Sequence, residues 1–168
     1  CLFNELVDFV EVELAWWHLA WESTEERAKY NAPWWRFGWW NIRIWRCPQA
    51  GLDNLEWQRT LRWTGNETSD PEKIGKLTLQ AESAQEILDL YNWWTIERPK
   101  RVDPMDASGW SAYCERTRSD DPDDLFGRYD GTETGPMLDE MRQLEEAYEK
   151  EDEEMLIRLI KIRNSLWT

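Results

Sequence analysis

The chain has 168 residues, 41% of them apolar, and a net charge of −14 from 34 acidic and 20 basic side chains. This length fits a single domain spanning residues 1–168, and fourteen tryptophans supply much of the apolar surface that a core needs. The negative charge argues against long nucleic acid as a partner, because it repels phosphate backbones. It also confines any anion site to a local, enclosed arrangement.

Residues 2–21 form the most apolar run, and four acidic residues interrupt it, which argues against a membrane span. The three cysteines (Cys1, Cys47 and Cys114) lie far apart and are odd in number, so they predict neither a disulfide framework nor a zinc site. They indicate reduced thiols and a cytoplasmic location.

Residues 2–30 are predicted to form one amphipathic helix, because apolar side chains recur three or four positions apart. The single histidine, His18, lies between aromatic residues and is predicted to be packed or hydrogen-bonded rather than catalytic. The predicted apolar stripe consists of Phe3, Leu6, Val10, Leu14, Trp17 and Trp21.

The segment from Pro33 to Trp63 contains half of the tryptophans, and its five arginines against two acidic residues give a local charge of +3. Apolar and polar residues alternate over residues 39–46, where β-branched and aromatic types favour a short strand. A helix over residues 34–45 is the alternative, and Gly38 makes it less favourable.

A turn at residues 48–51 leads into a predicted short helix, and a polar surface loop follows over residues 64–76. The next helix is predicted to begin near Thr78 or at the capping box that starts at Ser83. It should end near residue 98, because the proline that follows disfavours helix in the residue before it.

Asp103 followed by Pro104 predicts a sharp helix start, and this helix is expected to continue to about residue 118. Residues 119–135 are rich in aspartate and turn formers, so they predict a mobile acidic loop.

The last helix is predicted to run from Pro136 to Leu166, with Glu154 and Arg158 as a stabilising pair one turn apart. The apolar stripes of the first and last helices suggest association into a homo-oligomer. Together the elements predict a mainly α, single-domain helical assembly with at most one small β element, near residues 39–46.

The sequence shows no signature of catalysis or cofactor binding. One histidine, no Gly-x-Ser-x-Gly and no glycine-rich phosphate loop argue against nucleophilic catalysis and a phosphate-bound cofactor. Residues 121–132 begin like a calcium loop but lack its sixth-position glycine and its final glutamate, so no metal site is predicted. We expect no cofactor and favour a protein that is not an enzyme.

Tryptophan at helical or strand spacing usually belongs to a core that arginine stems cover, which is the simplest interpretation of the Trp/Arg-rich segment. Alternatively, exposed rings beside guanidinium groups stack on bases and bind phosphates. A second group near residues 93–110 repeats the pattern, and the two groups could wall one pocket. The predicted ligand-binding residues are Arg36, Trp39, Arg43, Trp45, Arg46, Arg59, Arg62, Trp63, Arg98, Arg101 and Trp110.

Three segments carry a resemblance: WWTIERPKRVDPMDASGWSAYC at residues 93–114, DEEMLIRLIKIRNSLWT at 152–168 and PQAGLDNLEW at 48–57. In them the chain resembles uncharacterised accessory proteins of tailed bacteriophages. The resemblance implies a phage accessory or virion-associated protein that acts in the cytoplasm of the bacterial host. It implies no catalytic or binding residue.

Three functions follow as hypotheses. The first is a non-enzymatic phage protein that sequesters a small nucleotide, such as a host immune signal, in a Trp/Arg pocket. The second is an interaction or virion-structural protein that presents its tryptophan-rich face to a host or virion protein. The third is an enzyme whose site is built from scattered carboxylates. The interleaving of arginine and tryptophan favours the first hypothesis.

Overall fold

The computed structural model describes residues 1–20, 23–30, 46–68, 70–118 and 131–166. The predicted mainly α, single-domain fold is confirmed, and no strand occurs in the described part of the chain. The small β element predicted near residues 39–46 lies outside that part, except for Arg46. No helix among the described residues is both long and apolar enough to cross a membrane.

Close contacts divide the chain into two compact units. The first comprises the described parts of Cys1–Ile96 and Arg158–Thr168, and the second those of Glu97–Ile157. In chain order the elements are α1 (Leu2–Asp8), a first π-helical segment (Phe9–Leu14), α2 (Ala15–Ala20), α3 (Thr24–Lys29), α4 (Pro48–Gln58), α5 (Leu79–Asn92), a second π-helical segment (Trp93–Glu97), a 3₁₀ turn (Arg98–Lys100), α6 (Pro104–Ala107), α7 (Trp110–Thr117), α8 (Gly131–Ile162) and a last 3₁₀ turn (Arg163–Ser165).

The first π-helical segment changes which residues of the N-terminal helix are buried. A π turn holds more residues than an α turn, so the residues after it are rotated relative to those before it. The fully buried positions accordingly pass from Val10 to Ala15 and Leu19. Trp17, predicted within the apolar stripe, is 55% exposed, which corrects that prediction.

Ser23 begins a separate helix, so the prediction of one helix over residues 2–30 is wrong at this point. The Ser23 Oγ accepts a hydrogen bond from the Glu26 N–H at 3.3 Å and so caps α3. The Arg27 guanidinium donates to the carbonyl oxygens of Leu19 at 3.0 Å and Ala20 at 2.9 Å. These bonds satisfy the last carbonyls of α2 and hold α3 against its end.

Helix α4 is the central element of the first unit, because it packs against the first π-helical segment, α2 and α5. Pro48 lies in its first turn, where the missing N–H costs nothing, so residues 48–51 are helix rather than the predicted turn. Gly51 lies against the backbone of Val10: an added Cβ would overlap the Val10 carbonyl oxygen and lie 2.8 Å from its carbonyl carbon. Glycine therefore permits the close approach of α4.

The loop predicted over residues 64–76 is confirmed at its described residues, 64–68 and 70–76, and backbone hydrogen bonds join its two ends. The Trp63 N–H donates to the Lys76 carbonyl at 3.0 Å, next to an isolated antiparallel bridge between Arg62 and Leu77. This bridge is the β pairing seen among the described residues.

Helix α5 begins after Thr78, as one of the two alternatives predicted. The Thr78 Oγ1 accepts from the Ala81 N–H at 3.1 Å. Ser83 lies inside the helix, and its hydroxyl oxygen is 3.1 Å from that of Ser165. The helical stretch ends with the 3₁₀ turn Arg98–Lys100, close to the predicted position.

In the second unit, Asp103 caps α6 as predicted and accepts a hydrogen bond from the Met105 N–H at 2.8 Å. The predicted continuous helix to residue 118 is interrupted at Gly109, whose φ of 78° lies in the left-handed region that favours glycine. A new helix, α7, starts at Trp110.

Helix α8 begins at Gly131 rather than at the predicted Pro136, so the proline lies inside it. The predicted mobile loop over residues 119–135 is therefore corrected at 131–135, and its remainder lies outside the described residues. Arg158, predicted to pair with Glu154, donates to both carboxylate oxygens of Glu86 at 2.7 and 2.9 Å.

Candidate functional site

A cleft of about 860 Å³ opens in the first unit and is the candidate functional site. Its walls come from the first π-helical segment, α2, α4, α5 and the residues that follow α8. This volume falls within the range of sites that bind small organic molecules.

An amide pair on α4 forms the most buried polar part of the wall. Asn54 is only 8% exposed, and its Oδ1 accepts a hydrogen bond from Gln58 Nε2 at 2.7 Å. Residues four positions apart lie on the same helix face, so both side chains line the cleft. The bond uses one acceptor and one donor hydrogen of the pair, which leaves further hydrogen-bonding capacity beside the cavity.

Aromatic surface of the cleft comes from the N-terminal helix. Phe9 and Trp17 both line the cleft. The Trp17 ring stands edge-on to Trp16, with 5.0 Å between the ring centroids and 75° between the planes. That contact supports the ring, while its 55% exposure leaves surface for a ligand.

Residues 164–166, which follow α8, also line the cleft. Ser165 contacts Ser83 through the hydroxyl pair described above, and Leu166 is 7% exposed. Asn164 adds a further amide to the lining. Among the described lining residues, Glu13 is the one with an ionisable side chain, and none of them is lysine or arginine.

Of the predicted ligand-binding arginines in the first unit, the described ones are Arg46, Arg59 and Arg62, and they contact carboxylates or backbone and do not line this cleft. Arg46 donates to Glu11 at 2.9 Å and also to Asp8. Arg59 lies 2.6 Å from Glu56, one turn earlier in the chain. The guanidinium groups of Arg46 and Arg59 are thus both paired with carboxylates.

Arg62 and Trp63 belong to the closed end of the loop. Arg62 Nη1 donates to the Gly75 carbonyl at 3.1 Å, and Trp63 is half-buried beside the antiparallel bridge. Arg36, Trp39, Arg43 and Trp45 lie outside the described residues, so the predicted convergence of these four with the others stays a prediction.

Glu11 joins the Arg46 ion pair to the core. Its Oε1 accepts from the Tyr91 hydroxyl at 3.0 Å while its Oε2 accepts from Arg46. Burial, with the bond to Glu11, raises the pKa of Tyr91 to about 12, so the phenol stays a donor at neutral pH.

The two predicted arginines of the second unit also contact acidic side chains. Arg98 donates to Asp152 at 2.8 Å, and Arg101 donates to Asp152 at 2.6 Å and to Glu151 at 2.7 Å. Trp110 stacks on Tyr113, with 5.8 Å between the centroids. Arg98 and Arg101 are thus brought together on one carboxylate, as a structural ion-pair network.

This network predicts acid sensitivity that depends on Asp152. The hydrogen bond from Arg98, with that from Arg101, holds the pKa of Asp152 below its usual range. The resulting stabilisation is present above the unfolded pKa of about 4 and is lost as the pH falls through the lower folded value. We expect the urea midpoint, followed by circular dichroism, to fall less steeply from pH 5 to pH 3 in Asp152→Asn than in the unmodified protein.

Asp139→Asn is the matched control, because this aspartate is 67% exposed and pairs with Arg142 on its own helix. In Asp139→Asn the urea midpoint should fall with decreasing pH as steeply as in the unmodified protein. Equal slopes in Asp152→Asn and the unmodified protein would contradict the assigned role.

His18 is hydrogen-bonded, as predicted. Its Nε2 is 3.2 Å from the Tyr30 hydroxyl, which donates to Asp53 Oδ2 at 2.7 Å, and Gln49 donates to the other oxygen of Asp53 at 2.7 Å. Burial and the bond to Asp53 raise the pKa of Tyr30. The chain of bonds borders a second cavity of about 350 Å³ that Cys47 also lines.

The three cysteines form no disulfide. Among the described residues, no group of three or more histidine, cysteine, aspartate or glutamate side chains is arranged to hold a metal ion. The calcium-like stretch at 121–132 lies almost entirely outside them.

No family model matches the chain, and neither a curated protein nor a solved structure matches it.

Sequence reasoning missed Asn54 and Gln58, and it placed Trp17 in the core. A local signal was present for the amides, since two amide side chains four positions apart share one face of a helix. The neighbouring apolar residues made that face resemble an ordinary packing surface.

Proposed function

We propose that this chain is a non-enzymatic binding protein that holds a small organic molecule in the cleft of the first unit. Asn54 is the observation that carries the proposal, because it is a buried polar side chain at the wall of an open cavity. Gln58 is its hydrogen-bond partner among the described residues. The NH₂ of Asn54 keeps donor capacity at the cavity wall, and a ligand that accepts from it would replace water there.

The lining supports holding a ligand rather than transforming it. It combines amide and hydroxyl groups with aromatic and aliphatic surface, the mixture typical of sites that orient an organic molecule. Glu13 is the ionisable group among the described lining residues, whereas general acid–base catalysis commonly positions both an acid and a base.

The resemblance to accessory proteins of tailed phages supplies the setting of the proposal. In that setting the chain acts in the cytoplasm of an infected bacterium and withdraws a host metabolite or signal. The cleft replaces the Trp/Arg pocket as the proposed place of binding, because its walls are all described residues.

Trp17→Ala is expected to weaken ligand binding about tenfold, because ring stacking contributes roughly 1–3 kcal/mol per aromatic contact. A thermal-shift panel of nucleobases, nucleosides, nucleotides, amino acids and sugars identifies the bound compound. Isothermal titration then gives its Kd for the unmodified protein and the variant. Mass spectrometry should recover the compound chemically unchanged after heat release.

Trp57→Ala is the matched control, since Trp57 is 57% exposed and does not line the cleft. It should bind the compound with the unmodified Kd. Equal affinities of the two variants, or a panel without a stabilising compound, would sink the proposal. Capture of one stoichiometric host protein that Trp57→Ala abolishes would favour the interaction hypothesis instead.

A further inference from the structure

We infer that the ligand of this cleft is an uncharged, nucleoside-type heterocycle without a phosphate group. The inference rests on the proposed function and narrows its ligand to one chemical class. Three features of the described lining support it: its charge, its amide edge and its aromatic surface.

The charge of the lining disfavours a phosphate. Glu13 is the ionisable side chain among the described lining residues, and the chain as a whole carries −14. A phosphate in this cleft would meet a negative field without a lining cation among those residues to offset it. The described arginines of the predicted ligand-binding set contact carboxylates or backbone and do not line this cleft, as Arg46 does with Glu11 and Asp8.

The amide pair offers a matched hydrogen-bonding edge. When Gln58 Nε2 donates to Asn54 Oδ1, the NH₂ of Asn54 and the carbonyl oxygen of Gln58 keep capacity for a ligand. If the oxygen and nitrogen positions of both side-chain amides were exchanged, Asn54 would donate to Gln58. The pair would then offer the carbonyl oxygen of Asn54 and the NH₂ of Gln58 to a ligand. In either arrangement one donor and one acceptor stand on adjacent turns of α4.

Such an edge complements a nucleobase. Adenine, cytosine, guanine and uracil each present neighbouring donor and acceptor groups along one side, and asparagine and glutamine recognise them with paired hydrogen bonds. Because Asn54 is nearly buried, its bonds to a ligand would form away from bulk water, where they are stronger.

The aromatic wall suits the face of the same ligand. Trp17 has exposed ring surface in the cleft and is supported by Trp16. A tryptophan ring can stack on the flat face of any nucleobase. The amide pair of Asn54 and Gln58 would then fix the orientation of that base. A flexible or strongly charged metabolite would use neither feature fully.

Isothermal titration of adenosine, guanosine, cytidine and uridine, each beside its 5′-monophosphate, tests the ligand class. We expect at least one nucleoside to bind, with a Kd at least about tenfold lower than that of its monophosphate. Asn54→Asp keeps the acceptor that Gln58 uses and removes the NH₂ donors, so it should weaken that nucleoside about tenfold or more. Asn4→Asp, an exposed position on α1, adds the same charge outside the cleft and should leave the Kd unchanged.

Trp17→Ala provides a second test on an exposed residue if Asn54→Asp fails to fold. A monophosphate that binds as tightly as its nucleoside would overturn the inference. So would the absence of nucleoside binding while another panel compound binds in a Trp17-dependent way, a result that leaves the proposed function standing. If no compound binds in that way, both proposals fail.

Discussion

Gly51→Ala is expected to lower the free energy of unfolding by about 3 kcal/mol, at the upper end of the usual cost of overpacking. The added Cβ would overlap the Val10 carbonyl oxygen and lie 2.8 Å from the carbonyl carbon. Both are backbone atoms of a helix, so they cannot turn aside as a flexible side chain would. Helix α4 would have to move away from the first π-helical segment, and urea unfolding followed by circular dichroism measures the loss.

Gly65→Ala is the control for this experiment, because the nearest atom to its added Cβ is Ile74 Cδ1 at 4.0 Å. Its effect should stay within about 0.5 kcal/mol, as for most surface substitutions. A loss of comparable size in both variants would show that the close approach at Gly51 is not what makes that position sensitive.

Leu19→Ala should also cost about 3 kcal/mol, because it removes buried methyl groups and leaves a cavity. Leu19 is fully buried and packs with Ala15 and Ala50, where α2 meets α4. Small residues on both sides of this contact leave few side chains able to fill the space. The free energy of unfolding from urea titration gives the cost directly.

Leu2→Ala makes the same chemical change at a residue that is 55% exposed. It should lower the free energy of unfolding by less than about 1 kcal/mol, because most of the side chain already contacts water. If Leu2→Ala and Leu19→Ala were equally destabilising, the assignment of Leu19 to the core would be wrong.

Both large effects concern helix α4, which also carries the amide pair of the cleft. Gly51 sets its distance from the N-terminal helix, and Asn54 and Gln58 follow within two turns. The same close packing that stabilises the first unit therefore fixes the separation between the amide wall and the aromatic wall. A variant that moves α4 is expected to impair binding together with stability.

The sequence by itself determined the mainly α fold and a few of the helix ends. These are local properties: a cap needs a serine, threonine or aspartate within a few residues of an N–H that requires a partner. Asp103 satisfies that condition and caps as predicted, and Thr78 caps at one of the two predicted starts of its helix. The buried positions Phe3, Leu6 and Val10 also follow the predicted spacing, because an α-helix repeats regularly until it is interrupted.

Only the tertiary structure decided which side of the N-terminal helix faces the cleft. The π-helical segment shifts the buried positions to Ala15 and Leu19 and leaves Trp17 exposed. A single-sequence spacing argument assumes one helical repeat throughout, so it could not show that shift. The sequence also did not indicate the partners of Arg46 and Arg158, because the carboxylates that these arginines contact lie far away in the chain.

The cleft itself is the clearest case of a tertiary property. Its walls combine residues from 9–17, 54–58, 79–87 and 164–166. A cavity exists only where such distant segments pack without filling the space between them, and no local pattern specifies that space. The sequence thus determined the chemical types of the side chains, and the packing of α4 decided which of them line the cleft.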